Sequence, residues 1–208
     1  MSSIILICLI FVFIAISAVI LTLIKNKDRF KDVQPNDIDY KVVDLGPQDS
    51  KLISDVMFAA KTTISDELYM PLTSEEVREI FKRGGAAFGI EMRDKVVGIL
   101  TIDVPNDVFG VSYEDYYAGA EQNNTMYIEN CAVLPEFRGN SFQRILVRHA
   151  ESWLKQTTPK CEYFMCTVAP DNKASHHSME MLGYSVVATD RMYGNNLRDV
   201  MWKKANID

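Results

Sequence analysis

The sequence predicts an α/β (α+β) chain in which about seven strands and four helices follow one N-terminal transmembrane helix. Three features of the sequence predict it. An almost continuous apolar run extends from Ile4 to Ile24. Downstream, apolar residues switch repeatedly between strand-like alternation and helical spacing. Turn residues (Gly46-Pro47, Gly84-Gly85, Gly183) punctuate those segments. The 208 residues suffice for one domain of ordinary size plus an appendage.

The run from Ile4 to Ile24 is interrupted only by Ser17 and Thr22. At about 1.5 Å per residue it is long enough to cross a hydrocarbon core of about 30 Å. A cleaved signal peptide carries a basic n-region and a shorter apolar core. Here no Lys or Arg precedes the run, and apolar residues continue past Ala15-Ile16-Ser17, so an uncleaved anchor over residues 4–24 is expected. Lys25, Lys27, Arg29 and Lys31 follow it directly. Basic flanks stay cytoplasmic, which makes this a single-pass membrane protein with its C-terminal domain in the cytosol. The sequon Asn123-Asn124-Thr125 matters only in the opposite orientation.

Residues 25–37 read as a polar juxtamembrane linker, and residues 38–204 as the domain. Ile38 to Leu45 is a first strand. Leu52, Ile53, Val56 and Met57 recur at helical spacing. Thr73-Ser74-Glu75-Glu76 is a capping box for a second helix carrying Val77, Ile80 and Phe81. Ala86 to Met92 and Val96 to Val104 form a hairpin around Arg93-Asp94-Lys95. Residues 105–124 read as an insertion loop with a short helix near 112–120. Met126 to Val133 is a strand. Phe142, Ile145, Leu146, Ala150 and Trp153 share a helix face. Tyr163 to Val168 is a strand, residues 173–181 a helix ended by Gly183, and Tyr184 to Met192 and Val200 to Lys203 the last strands. The order is β-α-α-β-β-β-α-β-α-β-β.

The formal charge of −6 excludes a nucleic-acid surface, which needs a basic patch. A mild acidic excess is what solubility alone calls for, although it also suits an amine substrate. Cys8, Cys131, Cys161 and Cys166 form no CxxC pair and no zinc spacing. Reduced, buried thiols in a cytosolic compartment are expected. No P-loop, nucleotide Gly fingerprint or Ser-His-Asp pattern is present.

The informative stretch runs from Tyr127 to Asn140. A strand ends in a sharp turn that opens a helix. The first N–H groups of such a helix lack internal partners and sit at the positive end of its dipole, a cradle for a pyrophosphate. Gly139 permits close backbone approach. Downstream, Val168-Ala169-Pro170-Asp171-Asn172 leads into a second short helix ending at Gly183-Tyr184.

Together these segments resemble the GNAT acetyltransferase superfamily, over roughly residues 38–204. Arg138 corresponds to the family's Arg in its Arg/Gln-x-x-Gly-x-Gly/Ala loop. Asn172 and Gly183-Tyr184 match its second element. The resemblance implies a mixed, mostly antiparallel sheet with a splayed strand pair. It also implies acetyl-CoA as co-substrate, with no metal. Cys131, Ala132 and Val133 would bond pantetheine. Arg138, Gly139, Asn140, Ser141, Phe142 and Gln143 would hold the pyrophosphate, with Asn172 and Ser175 alongside. The sequence departs from the family where Ser141 and Gln143 replace loop glycines. Gln143 crowds the phosphate approach. Met179 stands where a thiolate-protonating tyrosine is common.

The implied reaction is direct attack of an amine on the thioester, with a carboxylate as base. Glu129 is the first candidate, because spermidine-acetylating relatives carry Glu at the matching position; the plain reading is a solvated strand residue. Glu67 is its rival, because Asp66-Glu67-Leu68 resembles an acidic segment of arylalkylamine-type acetyltransferases; the plain reading is an exposed loop charge. Tyr193 is a candidate acid, and Tyr184 reads as a core aromatic. Tyr113, Tyr116 and Tyr117 could line an amine pocket or pack as a lid. His149, His176 and His177 read as exposed helix residues. The expected function is membrane-anchored, acyl-CoA-dependent N-acyl transfer to an amine, a small molecule ahead of a protein. A catalytically degenerate acyl-CoA-binding or interaction module is the alternative.

Overall fold

The computed structural model describes residues 39–103, 124–158 and 160–205. The anchor expected over 4–24, the linker over 25–37, and the insertion with Tyr113, Tyr116, Tyr117 and Asn123 lie outside the described residues. Among the described residues, no helix is long and apolar enough to cross a membrane.

The strands are β1 (Lys41–Leu45), β2 (Ala86–Met92), β3 (Lys95–Asp103), β4 (Thr125–Val133), β5 (Tyr163–Val168), β6 (Ser185–Met192) and β7 (Asn196–Lys204). The helices are α1 (Ser50–Lys61), α2 (Ser74–Lys82), α3 (Phe142–Thr157) and α4 (Lys173–Glu180). One seven-stranded sheet has the order β1-β2-β3-β4-β5-β7-β6. Every neighbouring pair is antiparallel except β4 and β5. The mixed, mostly antiparallel sheet and four helices agree with expectation. The last strand is longer than its apolar core suggested, because Asn196, Arg198 and Asp199 pair with β6 even though they are polar.

Local chemistry explains the boundaries. Thr73 caps α2, accepting from the Glu76 N–H at 3.3 Å while its own N–H donates to Glu76 Oε2 at 2.7 Å. Arg93 and Asp94 both adopt positive φ, 49° and 60°, so β2 and β3 join through the tight two-residue turn that suits the strand twist. Gly183, at φ 87°, reverses the chain after α4, and the Tyr184 N–H closes back on Met179 O at 3.1 Å.

β3 is buried from Val96 to Asp103, which requires cover on both faces. Helix α1 packs on β3 and β4, and α3 packs on β2, β3 and β4. The core face of α3 is Phe142, Leu146, Val147, Ala150 and Leu154. That stripe is rotated slightly from the expected one, leaving Ile145 and Trp153 half-buried. Trp153 still meets Phe88 edge-on at 5.7 Å. Cys161 and Cys166 are buried and Cys131 half-buried, all as free thiols.

A polar knot ties α3 to the last strands. The Tyr184 hydroxyl donates to Glu151 Oε1 at 2.9 Å, and Lys203 Nζ bonds both Glu151 oxygens at 2.9 and 2.8 Å. Removing the cation leaves a largely buried carboxylate without its counter-charge. Lys203→Met should therefore cost about 2–3 kcal/mol, read as a lower urea midpoint with an unchanged m-value.

Candidate active site

The strand pair β4–β5 creates the site by coming apart. Their parallel ladder runs from Thr125↔Tyr163 to Ile128↔Cys166 and stops there. β4 continues to Val133 alongside β3, while β5 continues to Val168 alongside β7. Main-chain groups of Glu129 to Val133 thus lack a strand partner on the β5 side. A cavity of about 440 Å³ opens at this fork.

A β-bulge aims the first candidate side chain into it. Thr101 pairs with Asn130 and Ile102 with Ile128, which leaves Glu129 without an opposite residue. Such an extra residue breaks the alternation and re-aims its side chain. Glu129 lines the cavity, and its Oε2 is buried with no hydrogen-bond partner among the described residues. Burial, then the nearby charges of Asp103 and Glu76, push this carboxyl up to about 7 against the opposing pull of Arg83. Arg83 is already committed: its Nε donates to Asp103 Oδ1 at 3.2 Å and its Nη2 to Oδ2.

Tyr193 also faces the cavity. Its hydroxyl lies 2.6 Å from that of Tyr127 and 3.2 Å from Thr167 Oγ1, and the last two are 2.9 Å apart. The three hydroxyls contact one another in a triangle. Burial and the Glu129 charge push the Tyr193 phenol up, so it stays protonated at neutral pH. Tyr193 occupies the β6–β7 turn with φ 49°, followed by Gly194 at 75° and Asn195 at 85°.

The opposite wall is the loop between α1 and α2, and it is pinned. The Tyr69 hydroxyl donates to Asn130 Oδ1, and Asn130 Nδ2 donates to Met70 O at 2.9 Å. Ser54 Oγ donates to Leu72 O at 2.8 Å. Asn130 therefore carries both the strand next to the bulge and the wall facing it. Nothing in local sequence signalled these contacts, nor the Arg83–Asp103 pair.

The coenzyme-side candidates divide into three groups. Cys131, Gln143, Asn172 and Ser175 line the cavity. Asn172 caps α4 by accepting from the Ser175 N–H at 3.2 Å, and Gln143 Nε2 reaches Ser175 Oγ at 3.5 Å. Gln143 therefore turns toward α4. Gly139 has φ 86° and open space where a Cβ would stand, and Asn140 Nδ2 holds Phe137 O at 3.0 Å. Ser141 adopts φ 62°, the left-handed region the family's glycine would suit, and Phe142 starts α3. The first N–H groups of α3 are thereby presented, as a diphosphate requires. The β4 edge past Ile128, which carries Ala132 and Val133 and has no strand partner on the β5 side, fits a chain that bonds like a strand, although Val133 O is already taken by Arg138. The residues present fit coenzyme A.

Two expectations are redirected. Arg138 is engaged with protein: Nε donates to Val133 O at 3.1 Å, Nη1 to Thr63 Oγ1 at 2.8 Å and Nη2 to Ala60 O at 2.7 Å. It closes the C-terminus of α1 onto the end of β4. Glu67 is exposed on the loop wall and is not among the cavity residues. Met179 is buried against the cavity, and Tyr184 spends its hydroxyl on Glu151. His177 is exposed as expected. His176 instead is half-buried with Nε2 3.0 Å from Asp199 Oδ2, and His149 is half-buried edge-on to Phe88 at 4.9 Å. Among the described residues, no group of His, Cys, Asp and Glu could hold a metal ion. Burial pushes the Cys131 thiol up to about 12 and Cys166 higher still, so neither is a nucleophile at neutral pH.

The family model described as "Acetyltransferase (GNAT) family" matches residues 56–184. Aminoglycoside N(6')-acetyltransferase type 1 from Acinetobacter baumannii is 34% identical over 74 residues, 36% of this chain and 49% of that protein. The enzyme of the same name from Acinetobacter haemolyticus is 34% identical over 70 residues, 34% of this chain and 47% of that one. The chain thus spans about half the length of the curated relatives it matches. The ribosomal-protein-S18-alanine N-acetyltransferase of Escherichia coli superposes with a TM-score of 0.62 at 15% identity, covering 82% of this chain and 96% of that one. A Salmonella typhimurium protein whose structure includes its cofactor acetyl-CoA superposes with a TM-score of 0.60 at 13% identity, covering 81% and 95%.

The raised Glu129 carboxyl makes a stability prediction. Below pH 4.5, its ordinary value, folded and unfolded chains both hold the proton and nothing is lost. Between 4.5 and about 7 the unfolded chain releases it first, so stability falls as pH rises, and the full cost is present above 7. Glu129→Gln should match the parent near pH 4 and exceed it by on the order of 2–3 kcal/mol at pH 8, measured by denaturant titration at both pH values.

Proposed function

The chain belongs to the acetyltransferase (GNAT) family, and on that premise we propose that it transfers acetyl from acetyl-CoA to the amine of a small molecule, with Glu129 as base and Tyr193 as acid. The observation that carries this reading is the unpartnered Glu129 oxygen, held by the bulge inside the fork between β4 and β5. Acetyl-CoA supplies a thioester carbonyl and a thiolate leaving group. Glu129 accepts the proton that an ammonium must lose before it can attack, and a carboxyl near 7 is matched to that task at neutral pH. Tyr193 donates toward the departing sulfur, the hydroxyls of Tyr127 and Thr167 can then both donate to its phenolate oxygen, and the second proton, shed by the acylated nitrogen as the amide forms, restores the phenol. Met179 has no proton to give, which leaves this role to the triangle. Direct transfer is favoured because the two cavity thiols are held protonated.

A small-molecule acceptor is supported by the aminoglycoside enzymes that share 34% identity with part of this chain. We place the domain at a membrane, on its cytosolic side, through residues 4–24. The support is the apolar run and the four cations that follow it. Full-length protein should stay in carbonate-washed membranes, and a chain lacking residues 1–37 should not; a glycan on Asn123 would reverse the orientation.

Thiol release from acetyl-CoA with a panel of amines tests the reaction. Turnover should rise with pH through about 7. Glu129→Gln should lower kcat/KM by roughly 10²–10⁴-fold and erase that limb, with acetyl-CoA affinity by calorimetry unchanged. Tyr193→Phe should lower kcat by roughly 10²-fold without weakening acetyl-CoA. Unaltered turnover in Glu129→Gln at every pH would remove it from the mechanism.

A further inference from the structure

Among the described residues lining the cavity, two titratable groups of opposite sign lack a salt-bridge partner. Asp103 and Arg83 neutralise each other. Glu76 is bound by the N–H and hydroxyl of Thr73 at 2.7 Å each, at the positive end of α2. Glu79 lies 2.5 Å from Lys82. What remains is the Glu129 carboxylate and the guanidinium of Arg198.

Arg198 is the less expected of the two. It sits on β7, is only 6% exposed, and lines the cavity. Its hydrogen bonding to protein is one contact, from Nη1 to the neighbouring Leu197 O at 3.0 Å. No carboxylate among the described residues pairs with it. Its Cζ lies 5.7 Å from the Tyr193 ring centre, an arrangement that fixes the plane of the fork and leaves its donors available. A buried, largely unpaired guanidinium is costly, and a planar anion would offset that cost with parallel hydrogen bonds.

Tyr193 neighbours both groups: the Arg198 guanidinium lies beside its ring, and the Glu129 charge pushes its phenol up. No ion pair joins Glu129 to Arg198 among the described residues, and both face one cavity.

We propose that the acceptor is a zwitterion: an amine that delivers its nitrogen to Glu129 and carries a carboxylate that Arg198 grips. This rests on the acetyltransfer reading above and narrows its substrate to amino acids and similar amino-carboxylates. Arg198 is then the residue that sets specificity.

The test compares each acid with its own amide. Glycine, β-alanine and γ-aminobutyrate, with glycinamide and the two corresponding amides, are assayed by thiol release with the full-length enzyme. At the spacing that fits, the acid should exceed its amide in kcat/KM on the order of tenfold to a hundredfold. Arg198→Gln should bring the acid-to-amide ratio of kcat/KM down to about one, whatever it does to turnover of both, and Arg198→Lys should restore part of that ratio. Acetyl-CoA affinity by calorimetry should be the same in all three proteins. If wild-type enzyme acetylates the amides as well as the acids, the zwitterion proposal fails and the acetyltransfer reading stands. Arg198→Gln that weakens acetyl-CoA for every acceptor alike also overturns it, since the guanidinium would then serve a coenzyme phosphate. Wild-type enzyme that binds no acetyl-CoA, or acetylates no amine, defeats both.

Discussion

The site depends on one missing set of hydrogen bonds. Past Ile128 and Cys166, β5 turns to β7 and β4 stays with β3. Main-chain donors and acceptors are among the most demanding groups in a folded chain. Leaving a row of them unpaired beside a cavity creates a surface that a strand-like ligand can complete. Everything else in the site takes its position from that fork. The bulge puts Glu129 at its edge, the β6–β7 turn sets Tyr193 across it, and the start of α3 closes its far end.

Much of the fold was legible from local signals. The capping box at Thr73, the two-residue turn at Arg93-Asp94 and the glycine stop at Gly183 each have a chemical cause within a few residues. Glu129 could be named from its strand and its family resemblance. Its orientation could not, because a bulge is a relation between two strands, and the register of β4 against β3 is not written in either alone. The same reason hid the Arg83–Asp103 pair, the Tyr69–Asn130 latch and the cavity role of Arg198. Each joins residues far apart in sequence, and isolated charges carry no mark of their partners.

Arg138 and Glu67 show how a motif can locate a residue without fixing its contacts. Arg138 stands where the family's arginine stands, yet its guanidinium joins Ala60 O, Thr63 and Val133 O. It sets the distance between the end of α1 and the fork, and through α1 the position of the acceptor wall. Glu67 occupies that wall and faces outward. Ser141 holds the backbone shape of a glycine without being one. Here the conformation required by the loop survives a change of residue, at a cost of about 1 kcal/mol in a left-handed position.

The bulge at Glu129 is an insertion by sheet arithmetic. With one residue fewer in β4, Ile102 would find a partner without interruption and the ladder from Gly98 to Asp103 would be regular. That shorter strand would make a smoother sheet, and it would swing the carboxylate to the other side of it. Selection on stability alone would favour the deletion. On the reading that Glu129 is the base, the surplus residue gives up regularity for reactivity, and homologues that lose it should be sought among proteins that bind the coenzyme without turning it over.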